Sequence, residues 1–117
     1  IKAKEATMDP RIAFHALQPY RHRGPLVVAI EPDPTPQRLR WWEEAAGPLT
    51  QAGAALFVWT SAGGLTALAP LAPEGPAVWI LDADLEPRAR LSAATLGNPL
   101  LQRVIAWIEG IQHECPE

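Results

Sequence analysis

Three short apolar runs, each bounded by turn-forming residues, dominate the hydrophobic pattern of the chain. They cover residues 26–30 (LVVAI), 54–60 (AALFVWT) and Ala77–Leu81 (AVWIL). Runs of this length, rich in β-branched and aromatic residues, predict strands, and the first would suit a central parallel strand that is buried on both faces. The turn at 82–84 (DAD) then predicts a fourth, antiparallel strand over residues 87–91.

A helical periodicity follows the first apolar run. Thr35 is a good N-cap residue and Pro36 a good first residue of a helix, and apolar side chains then recur at three- and four-residue steps. Gly47 followed by Pro48 predicts a kink or an early stop, because proline disfavours a helical predecessor and removes an internal hydrogen bond. A second long helix is predicted from its N-cap Asn98 to about residue 114.

The order of these elements predicts an α/β protein built as a three-layer sandwich. A central mixed sheet of about four strands would have helices on its faces. The first two strands are expected to be parallel, because a helix connects them. We expect an N-terminal extension or helical segment over residues 1–22 and the folded domain over residues 23–117.

Composition excludes several classes of protein. The chain has 117 residues, of which 48% are hydrophobic, and this suffices for the core of one domain. A net charge of −3 gives no basic face for nucleic acid. The apolar runs are too short for a membrane span. Residues 1–10 do not resemble a signal peptide, although an upstream cleaved segment is left open, and we expect a cytoplasmic location.

Cys115 is the only cysteine in the chain. It can form no intrachain disulfide and no all-cysteine metal site, and a reducing compartment fits this usage. His113 stands two residues before Cys115, so the two side chains would point to different sides of a helix. The sequence therefore predicts neither a metal nor another cofactor.

The strand at 25–31 runs directly into the first helix, and this arrangement resembles the active-site turn of thioredoxin-like proteins. On that alignment Pro34 and Gln37 stand where the two cysteines of the Cys-Gly-Pro-Cys motif lie, and Pro36 coincides with the proline of the motif. Thiol–disulfide exchange needs a thiolate, which neither proline nor glutamine supplies. Thr35 has a hydroxyl but no activating base near it in sequence. The resemblance thus implies a degenerate active-site turn without a catalytic residue.

Further segments extend the resemblance. Pro76 precedes the strand Ala77–Leu81, as does the proline that is cis and faces the active site in thioredoxin-like proteins. The resemblance therefore implies a cis Pro76 close to Pro34. The sequence segments 23–28 (RGPLVV) and 51–54 (QAGA) are similar to segments of redoxins of the peroxiredoxin branch. Taken together, the resemblance covers about residues 23–112.

Two functional hypotheses follow from these residues. The first is a non-catalytic thioredoxin-like domain that acts through protein–protein binding or self-association. Trp41 and Trp107, at the edges of apolar helix stripes, are candidates for the partner surface, with partial burial in the core as the alternative. The second is a peroxiredoxin-like redox protein in which Cys115 works with an external thiol. It ranks second because the end of a helix disfavours a thiolate.

Overall fold

A mixed sheet of four strands organises the part of the chain that the computed structural model describes, residues 14–21, 24–61, 68 and 75–113. The strands are β1 (Leu26–Glu31), β2 (Ala55–Thr60), β3 (Ala77–Leu81) and β4 (Pro87–Ser92). They are arranged in the order β2-β1-β3-β4. β1 pairs in parallel with β2 and antiparallel with β3, and β3 pairs antiparallel with β4. The predicted α/β class and four-stranded mixed sheet are therefore confirmed.

Within the described residues, two α-helices cover one face of this sheet. They are α1 (Pro36–Gln51), which connects β1 to β2, and α2 (Asn98–Gln112), which follows β4. Odd-numbered residues of β1 face these helices, because strand side chains alternate between the two faces. The core on this side combines sheet and helix residues, among them Val27, Ala29, Trp42, Leu49, Val78, Ile80, Val104 and Ile108.

A short 3₁₀ helix, His15–Tyr20, packs on the opposite face of the sheet. Phe14 and Leu17 are buried there together with Val28, Ile30 and Leu68. The described part of the segment that was predicted as an N-terminal extension thus contributes side chains to the core. Strand β1 lies between both layers and between two strands, so all six of its residues are buried.

The predicted early stop of the first helix at Gly47 and Pro48 is wrong. α1 continues to Gln51 with Pro48 inside it. Part of the steric cost of an internal proline is the clash of its ring with the Cβ and N–H of the preceding residue, and Gly47 has no Cβ. Pro48 leaves the Glu44 carbonyl without its helical hydrogen bond, and Glu44 is exposed, so water can solvate that carbonyl.

The start of the second helix differs from the prediction by one residue. Gly97, rather than Asn98, is the N-cap of α2. The Gly97 carbonyl accepts a hydrogen bond from the Leu101 N–H at 3.1 Å. Its φ of 157° belongs to a region that glycine enters easily, so the chain changes direction here without a side-chain cap.

Candidate functional site

The turn between β1 and α1 is a capped helix start. The Thr35 Oγ1 atom accepts a hydrogen bond from the Arg38 N–H at 3.1 Å, and Pro36 is the first residue of the helix. The predicted capping is therefore confirmed. Pro34 is half-buried, whereas Thr35, Pro36 and Gln37 are exposed. The turn presents no thiol, and its hydroxyl is already engaged in the cap.

A buried polar network lies directly behind this turn. Glu31, the last residue of β1, is 1% exposed. Its Oε1 accepts from the Arg38 Nε and its Oε2 from the Arg38 Nη2, both at 2.8 Å. The Trp42 Nε1 also donates to Oε2, at 2.6 Å. These three residues are called the Glu31 network below.

Sequence position explains why the Glu31 network assembles. Glu31 has the same parity in β1 as Val27 and Ala29, so its side chain faces the helix layer. Arg38 and Trp42 are four residues apart in α1, and such residues share one face of a helix. Because α1 folds back over β1 after a short turn, that face meets the carboxylate.

Arg38 also binds the segment that follows β4. Its Nη1 donates to the Ala94 carbonyl at 3.3 Å, and its Nη2 donates to the Ala93 carbonyl. The Ala93 N–H in turn donates to the Pro76 carbonyl at 3.1 Å. Among the described residues, no buried side-chain polar atom lacks a hydrogen-bond partner. The Glu31 network therefore joins β1, α1 and the segment after β4, and its buried polar side-chain atoms all have hydrogen-bond partners.

The prediction of a cis peptide bond at Pro76 is wrong. None of the described residues, which include Gly75 and Pro76, has a cis peptide bond. Gly75 has a φ of +87°, a conformation that L side chains rarely adopt. The bend before β3 is therefore made at Gly75, and the peptide bond to Pro76 keeps the ordinary trans state. The resemblance to thioredoxin-like proteins consequently lacks one of its expected features.

The two tryptophans predicted for a partner surface border separate grooves. Trp41 is half-buried, packs edge-to-face on Trp42 with ring centroids 5.0 Å apart, and borders a groove of about 400 Å³ at the start of α1. Trp107 is 42% exposed and borders a smaller groove of about 230 Å³ on α2. The structure does not combine them into one site. Cys115 lies outside the described residues, so its reactivity stays a prediction.

A third groove, which the sequence analysis missed, lies between α1 and the edge strand β2. Its volume is about 510 Å³. Apolar side chains from both elements dominate its lining, and Glu43 is the one charged residue among the described side chains that line it. This surface is called the β2 groove below. Its lining residues are Leu39, Trp42, Glu43, Ala46, Thr50, Ala55, Leu56 and Val58.

The arrangement around the turn offers little for chemistry. The Glu31 carboxylate accepts three hydrogen bonds, and the Arg38 guanidinium donates to that carboxylate and to two carbonyls. Both groups are thus occupied by structural contacts. The described residues also contain no group of three His, Cys, Asp or Glu side chains placed to hold a metal ion.

Comparison of the chain with protein-family models, with curated proteins and with solved structures finds no match. Neither helix in the described part of the chain has the length and apolar character that crossing a bilayer requires. Two regions of the described chain bear on function, the capped turn with its Glu31 network and the β2 groove.

Proposed function

We propose that this chain is a thioredoxin-like domain that performs no thiol chemistry at its active-site turn and acts by binding protein. A parallel β-α-β unit, followed by an antiparallel hairpin and a closing helix, supports the fold assignment. Both helices pack on the same face of the sheet. The turn at Pro34–Gln37 then occupies the position at which thioredoxin-like enzymes carry their cysteines.

The observation that carries this proposal is the Glu31 network behind the turn. In an enzyme, ionisable groups beside a reactive position are kept available for proton transfer or for stabilising charge. Here the carboxylate of Glu31 already accepts three hydrogen bonds from Arg38 and Trp42. With no thiol in the turn, the polar groups at this place stabilise the fold instead.

Activity assays on the pure protein test the catalytic half of the proposal. We expect neither insulin reduction in the presence of dithiothreitol nor peroxide consumption above the rate without protein. The matched control is Cys115→Ser, which removes the only thiol. Turnover that persists in Cys115→Ser would contradict the proposal. Turnover that disappears in Cys115→Ser would instead support the single-cysteine redox alternative.

A further inference from the structure

The two edges of the sheet differ in how they discourage pairing with other chains. β4 begins with Pro87, carries Arg88 and Arg90, and pairs with β3 through an irregularity at Ile80/Leu81. Proline, charges and bulges are the devices by which edge strands avoid added strands. β2 (ALFVWT) has no proline and no charge, and it pairs with β1 in an unbroken register over six residues.

The backbone of β2 shows which groups its outer edge offers. The Ala55 N–H donates to the Pro25 carbonyl, on the side of β1. Because successive residues of a strand direct their N–H and C=O groups to opposite sides, those of Leu56 and Val58 point away from β1. In the described part of the chain, no strand pairs with that outer side. Leu56 and Val58 thus supply donors and acceptors for a further strand.

The side chains of β2 are apolar on both faces of the sheet. Leu56 and Val58 pack on the α1 face, while Ala55 and Phe57 pack on the face of the 3₁₀ helix. All four are only half-buried. The β2 groove adjoins Leu56 and Val58, so a strand added to this edge would bury apolar surface as well as form backbone hydrogen bonds.

We propose that the outer edge of β2 pairs with β2 of a second copy of this chain, antiparallel about a two-fold axis. The two sheets then form one sheet of eight strands. The inference deepens the proposed function, on which it rests, by naming the partner as a second copy. An axis at Phe57 places Leu56 opposite Val58 of the other copy as a hydrogen-bonded pair, in agreement with their outward backbone groups.

A second copy fits because a two-fold contact requires a patch that is complementary to itself. With the axis at Phe57, apolar residues face apolar residues on both faces of the sheet, and the two β2 strands contribute no charge. A standard interface needs about 800 Å² and 20–30 residues from each partner. One six-residue strand with its groove supplies fewer, so we expect a reversible dimer with Kd in the micromolar range.

Sedimentation velocity and light scattering over a concentration series test the association. We expect the average mass to rise from monomer to dimer at tens of micromolar. Val58→Lys should weaken the dimer at least about tenfold, because it places a charge on the edge. The matched control is Leu91→Lys on β4, which is also half-buried on the helix face and should leave association unchanged.

Cysteine cross-linking tests the register and does not depend on Val58→Lys folding. At the proposed axis, the two Phe57 residues form a non-hydrogen-bonded pair with Cα atoms about 4.5 Å apart, within the range that a disulfide spans. In a Cys115→Ser background, Phe57→Cys should give a covalent dimer on mild oxidation. Ser92→Cys, at the exposed end of β4, should not. Circular dichroism verifies that both variants are folded.

Three outcomes would overturn self-association: a wild-type protein that remains monomeric, an equal effect of Leu91→Lys, or no preference for cross-linking at Phe57. If another segment of the chain or a foreign peptide pairs with the edge of β2 instead, the wild-type protein remains monomeric, which is the first of these outcomes. None of these results bears on thiol turnover. Conversely, turnover that persists in Cys115→Ser would overturn the proposed function while leaving the pairing of β2 measurable.

Discussion

Helix α1 borders two regions of opposite character, the Glu31 network at its N-terminal end and the β2 groove along its side. At the first, the buried Glu31 carboxylate is paired with the half-buried Arg38 and the buried Trp42. At the second, half-buried apolar side chains lie beside a strand whose outer backbone groups face away from the sheet.

This difference assigns stability chiefly to one region and binding chiefly to the other, with Trp42 taking part in both. A polar group whose hydrogen bonds are already made gains little by meeting a ligand, and disturbing it leaves a buried group unsatisfied. Apolar surface still partly in water gains about 25 cal/mol for each Å² that a partner covers. The turn between β1 and α1 is therefore expected to stabilise the fold, and the edge strand β2 is expected to bind a partner.

The largest expected effect is the loss of the ion pair in the Glu31 network. Arg38→Met keeps much of the side-chain stem but leaves Glu31 buried without its cation, and breaking such a pair costs about 3–5 kcal/mol. Urea unfolding followed by tryptophan fluorescence gives the change in the free energy of unfolding. The control Arg40→Met removes an exposed arginine from the same helix and should change stability by no more than about 0.5 kcal/mol.

The double variant Glu31→Gln with Arg38→Met sharpens the first result. Removing both charges eliminates the unpaired carboxylate, while the glutamine oxygen can still accept from Trp42. We expect the double variant to recover at least half of the stability lost in Arg38→Met, since buried pairs are often replaceable by neutral residues. The single variant Glu31→Gln completes the comparison. If the double variant lost as much stability as the two single variants together, Glu31 and Arg38 would not be coupled as the structure shows.

A smaller loss of stability is expected when the Glu31 network keeps its ion pair but loses the indole of Trp42. Trp42→Phe removes the donor to Glu31 Oε2 while retaining an aromatic ring in the core. Leaving that acceptor short of one hydrogen bond should cost about 1–3 kcal/mol, measured by the same unfolding experiment. Trp41→Phe is the matched neighbour, with a half-buried ring; an equal or larger loss there would argue against the role assigned to Trp42.

The cap at the start of α1 should contribute less again. Thr35→Ala removes the oxygen that accepts from the Arg38 N–H, and such a change costs typically about 1 kcal/mol. Thr50→Ala, at an exposed position of the same helix, should be neutral or slightly stabilising because alanine favours helix. Thermal unfolding of the two variants side by side measures the difference, and equal midpoints would contradict the cap.

The smallest expected effect concerns the charge in the β2 groove. A two-fold dimer brings the two Glu43 side chains to the same side of the sheet near the axis, where they repel weakly. Glu43→Gln should therefore tighten the dimer by a few-fold, and added salt should do the same for the wild type. A dimer that salt weakens would indicate attraction between opposite charges instead.

Local patterns in the sequence predict much of this fold. The positions of β1, β3 and β4 and the cap at Thr35 follow from apolar runs and capping preferences, which act over a few residues. Two predictions failed for different reasons. The early stop at Pro48 came from a general rule about proline that did not take the preceding glycine into account. The cis bond at Pro76 came from the family resemblance and not from a local pattern, because most X–Pro bonds are trans. Gly47 lacks the Cβ that a proline would meet, and Gly75 supplies the bend.

The candidate site was less predictable than the fold. A carboxylate that ends an apolar strand looks like the first residue of a turn, and nothing local shows that Glu31 is buried. The sequence feature that indicates the burial of Glu31 is the spacing of Arg38 and Trp42, which places both on one face of α1. That feature can be interpreted only when the helix is known to fold over the strand. The exposure of β2 is likewise a property of the strand order, which no single run of residues encodes.

The Glu31 network also has a consequence for how the protein responds to heat. The hydration of charged groups becomes less favourable as temperature rises, so the desolvation cost of a buried ion pair decreases on warming. A pair that is close to neutral in free energy at room temperature thus becomes a net contributor near the unfolding transition. Because Arg38 joins α1 to β1 and to the segment after β4, these parts should separate late when the protein is heated.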